Sequence, residues 1–239
     1  MYMEPITILV PTYNRSRFLP LFLMNLISQD YPHNLLNVII LDDGEDWFIK
    51  DEDELQKVKE HIYPISLTYV TDKHRKTIGK KRDTLIKMCN TKVFCFLDDD
   101  DAYMPTYISY SYEMLKTNKY GCVGSDKMLF CMTDRNFSVH MIDCGNTKHL
   151  IHEATLMATK KWYRASCGFA NSSQGEGANL FHGMERKVGI TDIFKIMVCI
   201  QHGQNTVSKL QFARDDNRVN LEISEEFKNG LKQILNLKD

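Results

Sequence analysis

Val93-Phe94-Cys95-Phe96-Leu97-Asp98-Asp99-Asp100-Asp101 sets five apolar residues directly before four aspartates. A short apolar run of this kind reads as a buried strand, so the strand ends in a concentrated patch of negative charge. Four like charges side by side are unfavourable unless a cation or a donor-rich ligand neutralises them. Oxygen-only ligands at the mouth of a sheet suit Mg²⁺ or Mn²⁺, hard ions usually shared with a substrate phosphate. Taken alone, the stretch reads equally as a metal-dependent site for a phosphorylated substrate or as a solvated acidic turn. The flanking sequence decides between them.

Upstream, short apolar runs alternate with helical patterns. Residues 6–10 read as a buried strand, stopped by Pro11 and the polar Thr12-Tyr13-Asn14-Arg15. Residues 17–29 carry Phe18, Leu19, Phe22, Leu23, Leu26 and Ile27 as one helical stripe. A second strand at 37–41 ends in Asp42-Asp43-Gly44, and after a helix at 53–62 a third at 65–70 ends in Thr71-Asp72. A basic amphipathic helix at 77–89, with Ile78, Leu85, Ile86 and Met88 on its apolar side, leads into the run that precedes the aspartates. This rhythm predicts a parallel sheet with helices on both faces, and in such sheets ligands bind outside the carboxyl ends of the strands. All four polar clusters therefore converge on one edge, which turns the charge run into a site.

The second half is less regular. A helix is expected over 105–117, with Pro105 near its first turn, then strands at 121–123, 128–132, 137–142, 154–158 and 196–200. The polar, Gly-rich stretch 171–179 reads as a loop outside the core, and 221–235 as a terminal amphipathic helix. Trp162 and Tyr163 are read as core rather than as a platform for a sugar. This half is expected to cover the rest of the sheet and to build the pocket of a second substrate.

The totals narrow the class. The 239 residues suffice for one large domain with a substantial core. With 43% hydrophobic and 26% charged residues and a net charge of -1, nothing calls for nucleic acid or an anionic membrane as partner. No apolar stretch reaches the ~20 residues needed to span a bilayer, and the first residues lack the basic region and apolar core of a signal peptide. The seven cysteines, Cys89, Cys95, Cys122, Cys131, Cys144, Cys167 and Cys199, contain no CxxC pair. They read as reduced, mostly buried thiols in a cytoplasmic setting.

Four motifs in order resemble the inverting, family 2 type nucleotide-sugar glycosyltransferases of GT-A fold. They are Ile8-Leu9-Val10-Pro11-Thr12-Tyr13-Asn14-Arg15, Val38-Ile39-Ile40-Leu41-Asp42-Asp43-Gly44, Ile78-Gly79-Lys80-Lys81-Arg82-Asp83 and Phe96-Leu97-Asp98-Asp99-Asp100-Asp101-Ala102-Tyr103-Met104-Pro105. They are similar to the first-strand signature, the DDG turn, the G-x-x-R-N/D helix start and the DxD motif of that family. The resemblance implies an α/β, Rossmann-like, mostly parallel sheet in a single domain over 1–239. Residues 1–104 would bind the nucleotide sugar, and 105–239 a glycan, protein or small-molecule acceptor.

Roles follow by position in that resemblance. Pro11, Thr12, Tyr13, Asn14, Arg15, Asp42 and Asp43 would surround the nucleotide, with Asp42 accepting from a ring N–H of the base. Lys80 and Arg82 would approach the nucleotide or its phosphates; by pattern alone they also fit a solvated helix face. Asp100 would contact Mn²⁺ or Mg²⁺, together with Asp98 and His202, while Asp98 and Asp99 lie nearer the ribose and donor sugar. Asp101 would cap the helix that starts around Pro105. Glu176, in Ser173-Gln174-Gly175-Glu176-Gly177, occupies the place of the family's E-D pair and would be the general base, with Gly177 standing where the aspartate is usual. Its plain alternative is an acid on an exposed loop, as that of His202 is a strand-end histidine without a role.

The reaction the resemblance implies moves a sugar from a UDP carrier to an acceptor hydroxyl with inversion. A nucleotidyltransferase and a non-catalytic nucleotide-sugar or glycan-binding module remain the competing readings, since one fold hosts many functions.

Overall fold

The computed structural model describes residues 3–143, 150–203, 205 and 212–237. The chain runs β1 (Ile6–Thr12), α1 (Leu19–Ile27), β2 (Leu36–Asp42), α2 (Glu52–His61), β3 (Ser66–Thr71), α3 (Ile78–Met88), β4 (Val93–Phe96), β5 (Ala102–Tyr103) and α4 (Tyr107–Thr117). It continues through β6 (Cys122–Gly124), β7 (Lys127–Met132), β8 (Ser138–Asp143), β9 (Met157–Thr159), α5 (Lys160–Ala165), β10 (Val188–Ile190), β11 (Met197–Gln201), β12 (Arg218–Val219) and α6 (Glu225–Leu235).

A seven-stranded sheet in the order β10-β6-β9-β4-β1-β2-β3 forms the centre. β1 pairs in parallel with β2 on one side and β4 on the other, and β2 with β3. The chain fills one flank of β1 with β2 and β3, then crosses back to place β4 on the other flank. The strand order thus reverses at the carboxyl ends of β1 and β4, where open α/β sheets hold their ligands.

Alternation along the strands divides the core. Ile6, Ile8 and Val10 of β1 with Val93 and Cys95 of β4 point to one face, packed with Phe18, Phe22, Tyr107 and Ile108. Leu9, Phe94 and Phe96 point to the other, against Leu85 and Ile86 of α3 and Trp162, Phe169 and Phe181. Each such side chain contributes about 1.5–3 kcal/mol by leaving water. Trp162 is therefore core, as read, and Tyr163 is half-buried with its hydroxyl donating to Asp83 Oδ1 at 2.5 Å.

Local signals set the helix ends. Asp51 caps α2 by accepting from the Glu54 amide, with Glu52, Asp53 and Glu54 in the first turn and Lys59 and His61 in the last, each favourable to the helix dipole. Thr77 caps α3 in the same way through the Lys80 amide. α6 begins only at Glu225, because Ser224 caps it through the Phe227 amide, so the helix is shorter than the 221–235 pattern.

The second half adds a further sheet to the expected α/β architecture. β6, β9 and β10 do extend the central sheet, but β12-β8-β7-β11-β5 form a separate five-stranded sheet. Its Leu129, Phe130, Met197 and Ile200 share one continuous core with β1 and β4. β5 links the two sheets: it follows the aspartates of β4 directly and pairs antiparallel with β11. Cys89, Cys95, Cys122, Cys131 and Cys199 are buried free thiols and Cys167 an exposed one; Cys144 lies outside the described residues. Among the described residues no helix is long and apolar enough to cross a membrane.

Candidate active site

The polar clusters at the ends of β1, β2, β3 and β4 meet at the carboxyl edge, as the strand pattern predicts. Two adjoining clefts of about 150 and 240 Å³ open there and share Arg15, Arg82, Asp98 and Asp100 as walls. Each alone is below the ~300 Å³ usual for a small-molecule site; together they span one. The first is lined by Pro11, Thr12, Tyr13, Lys76, Lys81 and Asp99. The second is lined by His152, Glu153, Glu176, Gln201 and Asn205. A third cleft beside the first runs over Tyr13, Asp43, Trp47, Thr71 and Arg75.

The aspartates have four different surroundings. Asp100 Oδ2 accepts from Arg15 Nη2 at 3.1 Å and from His202 Nε2 at 3.0 Å. Against the cost of burial, the His202 hydrogen bond and the Arg15 charge hold its carboxyl below the ordinary value. Asp99 is buried, its Oδ2 has no hydrogen-bond partner, and burial together with the Asp100 charge pushes it well up. Asp98 accepts from Arg82 Nη2 at 3.2 and 3.4 Å, yet burial still raises it. Asp101 does not cap α4, whose start has no side-chain cap. It accepts instead from the Ile200 amide at 2.8 Å and so ties the acidic turn to β11. That tie brings His202, just after β11, onto Asp100.

The nucleotide-side residues divide into two groups. Pro11, Thr12, Tyr13, Arg15, Arg82, Asp98 and Asp99 line the first cleft and Asp43 the third. Asn14 and Asp42 line neither. Asn14, at φ +54°, accepts from the Glu45 and Asp46 amides and holds the loop after β2. Asp42 is 1% exposed; its carboxylate accepts from the Gly44 and Phe48 amides and the Tyr69 hydroxyl. Those three donors hold the turn that follows β2. Lys80 is exposed and lines none of these three clefts; the neighbouring Lys81 is 3% exposed and donates to Asp43 Oδ1 and to the Thr12 carbonyl. Helical spacing carries this signal, since Lys81 and Arg82 share the buried face of α3 with Leu85 and Ile86. Arg75, 4.1 Å over the Tyr13 ring, is a further cation the sequence did not single out.

The second wall is assembled from distant segments. The loop after α5 folds back onto α3: Gly79 donates to the Ser172 carbonyl at 2.9 Å and Ile78 to Ser173 Oγ at 3.2 Å. A Cβ on Gly79 would collide with the Ala170 carbonyl, so the motif's glycine is required by close approach. The latch buries Glu176, 7% exposed, where Oε1 accepts from Arg82 Nε at 3.3 Å. The stretch 171–179 is a loop outside the hydrophobic core, as read, that ends in a short 3-10 turn with Glu176 and Gly177 buried.

Glu153 stands beside Glu176 and was missed by the motif reading. It opens a short turn before β9, which runs antiparallel to β4, so the start of β9 lies next to the end of β4. The Tyr103 hydroxyl links them, accepting from the Asp98 amide at 2.9 Å and donating to the Ala154 carbonyl at 3.1 Å. Glu153 Oε1 accepts from the Gly177 amide at 3.0 Å. Burial and the Glu176 charge push its carboxyl up to about 7. Arg82, over the Phe96 ring at 4.5 Å, is kept protonated against burial by Asp98, Glu176 and Glu153.

A switch-point crevice with an acidic turn, buried cations and an aromatic cleft beside it marks an α/β protein that binds its ligand at the carboxyl edge of the sheet, and the comparisons supply the family. Residues 7–172 match Glycosyl transferase family 2, and the chain belongs to that family. A curated relative, the processive diacylglycerol beta-glycosyltransferase of Mycoplasma genitalium, is 34% identical over 100 residues, 41% of this chain and 28% of that protein. The mannosyltransferase PcManGT from Pyrobaculum calidifontis, solved with GDP-Man and Mn²⁺, superposes with TM-score 0.60 at 18% identity, over 89% of this chain and 59% of that one. S. aureus TarS residues 1–349, solved with UDP-GlcNAc, gives 0.59 at 13% identity, over 97% and 65%. These likenesses establish the GT-A fold. The chain spans about a quarter of the curated relative's length and about three fifths of the solved neighbours'.

Proposed function

We propose that the protein is a metal-dependent, inverting glycosyltransferase that moves a hexosyl group from a nucleotide-diphosphate sugar, UDP-linked in our reading, to an acceptor hydroxyl. The observation that carries this reading is the Asp100 carboxylate, half-buried at the switch point between Arg15 and His202 with the buried Asp99 and the half-buried Asp98 beside it. Buried carboxylates that raise one another need a counter-charge, and the buried, unbonded Asp99 Oδ2 is an acceptor waiting for a donor or a cation.

A divalent ion fits this donor set. Among the described residues no three His, Cys, Asp or Glu side chains converge to hold a metal by themselves. Mg²⁺ and Mn²⁺ in phosphate chemistry commonly take one or two carboxylates and draw the remaining ligands from substrate and water. Asp100, with Asp98 and His202 next to it, would supply the protein's share of the ligands and leave the rest to donor phosphate and water; the ion when bound would neutralise charge on the departing diphosphate.

The chain's own side chains supply the rest. Tyr13, under Arg75, and the cleft over Asp43 and Trp47 present an aromatic and polar surface for base and ribose. Arg15, Lys76 and Arg82 bring positive charge to the diphosphate in the first cleft. The acceptor enters the second cleft, where its hydroxyl proton goes to a carboxylate of the Glu153–Glu176 wall; the family resemblance gives that role to Glu176. Attack from the side opposite the leaving group inverts the anomeric carbon. The buried thiols suit a cytoplasmic setting.

The test is a donor screen. Purified protein is incubated with Mn²⁺ or Mg²⁺ and UDP-glucose, UDP-galactose, UDP-N-acetylglucosamine or GDP-mannose, and released nucleoside diphosphate is scored. Release with one donor, lost on chelation and in Asp100→Ala, is expected. Absence of both release and nucleotide binding across the panel sinks the reading, and transfer of the nucleotide rather than the sugar replaces it.

A further inference from the structure

We infer that Glu153, rather than Glu176, is the base that takes the acceptor proton, and that Gly177 exists to admit it. This inference rests on the glycosyltransferase reading above. Glu153 lines the second cleft together with Glu176, Arg82, Asp98 and Asp100. A Cβ on Gly177 would overlap the Glu153 carboxylate, so any larger residue at 177 would expel Glu153 from this position. The site therefore holds two acids, as an E-D pair would, but the second one arrives from the turn before β9 and fills the space left by the glycine.

The two carboxylates are not equivalent. Glu176 is ion-paired with Arg82, itself 4% exposed and ion-paired to Asp98. Its Oε1 is committed to the Arg82 guanidinium, 3.3 Å away, rather than turned to an acceptor hydroxyl. Glu153 has a different polar partner, the Gly177 amide, which orients Oε1. Burial and the adjacent Glu176 charge raise its affinity for a proton, to about 7, which suits a base that works near neutrality. The charged and titratable groups around it are Glu176 on its own wall and Arg82 from α3. Asp98, Asp100, Asp101, Arg15 and His152 complete the cleft.

The step balances simply. The acceptor O–H bond breaks as its proton passes to the Glu153 carboxylate, and the acceptor oxygen forms the new bond to the anomeric carbon. The bond from that carbon to the β-phosphate oxygen breaks with its electron pair on the diphosphate. Glu153 then releases the proton to water, while Glu176 acts as a positioning residue that fixes Arg82.

The experiment compares Glu153→Gln, Glu176→Gln and Gly177→Ala with wild type. It reads turnover of the donor panel and calorimetric binding of UDP and GDP with Mn²⁺. Glu153→Gln is expected to lower kcat by ~10²–10⁴-fold with nucleotide affinity unchanged, and Gly177→Ala to reproduce that loss by displacing the carboxylate. Glu176→Gln is expected to lose less, and wild-type kcat to fall below pH 7, the base being protonated there. Near wild-type turnover in Glu153→Gln or Gly177→Ala, or loss of nucleotide binding along with turnover in either, overturns the assignment. A wild type silent toward the whole panel overturns the underlying glycosyltransferase reading, and the assignment falls with it.

Discussion

The two walls of the site carry the same chemical group in opposite surroundings. On the wall at the end of β4, Asp100 is held ionised by His202 and Arg15 against the cost of its burial. On the facing wall, Glu153 is pushed toward its neutral form by burial and by Glu176. One wall is suited to hold positive charge, and the other to take up a proton. Pairs of acids whose environments drive them apart in this way divide electrostatic and acid–base roles. Arg82 is the residue that touches both, through Asp98 and Glu176.

Removing Arg82 therefore breaks the comparison at its hinge and has the largest expected effect. Arg82→Met leaves the buried Glu176 and the half-buried Asp98 without their cation, and breaking a buried pair typically costs about 3–5 kcal/mol. Urea unfolding should show that loss. Adding Glu176→Gln should recover part of it, because one of the stranded charges is then gone. A single variant as stable as wild type would mean that Asp98 and Glu176 do not depend on the guanidinium.

Asp100→Asn attacks the first wall alone. The shape is kept and the charge removed, so turnover should fall roughly 10²–10³-fold, about 3–4 kcal/mol of transition-state stabilisation. Calorimetry should show that Mn²⁺ no longer strengthens UDP binding. If Mn²⁺ still strengthens it as in wild type, the ion is held elsewhere.

The first wall was legible in sequence because each of its residues follows a strand directly. A five-residue apolar run ending in Asp98 fixes both the strand and the position of its acid at the carboxyl edge. The same reasoning placed Thr12, Tyr13 and Asp43. Asp42 has the same position at the end of β2, and its oxygens accept from the Gly44 and Phe48 amides and the Tyr69 hydroxyl, partners the pattern does not reveal. The second wall was only half legible. Glu176 was found by its motif, while Glu153 sits before a strand, not after one, and reaches the edge because β9 runs against β4. Strand direction is a long-range pairing decision, and nothing within a few residues of Glu153 encodes it.

The second wall has a stability signature of its own. The Glu153 carboxyl, raised from an ordinary 4.5 to about 7, binds its proton more tightly folded than unfolded. Its favourable contribution is complete below pH 4.5 and is lost as pH rises through 7. Glu153→Gln should thus match wild type in acid and exceed it by about 1–2 kcal/mol above pH 7. Thermal unfolding at pH 5 and pH 8 should show the gap widen to a few degrees. A variant that is more stable and less active at the same pH would identify a group retained for chemistry at the expense of the fold. Equal stability at pH 8 would remove the raised carboxyl from the account.

The smallest effect sharpens the comparison by marking where the first wall ends. Lys80 and Lys81 are neighbours in one motif, yet α3 turns Lys80 to solvent and buries Lys81 against Asp43 and the Thr12 carbonyl. Lys80→Ala removes an exposed charge that lines none of the three clefts, so unfolding should shift by no more than about 0.5 kcal/mol and UDP affinity by less than twofold. Lys81→Ala leaves the buried Asp43 carboxylate without its cation and belongs with the Arg82 class of change. A Lys80→Ala variant that loses nucleotide affinity would extend the site across the exposed face of α3. Silence there, set against damage at Lys81, would confine the basic contribution to the face that helical spacing turns inward.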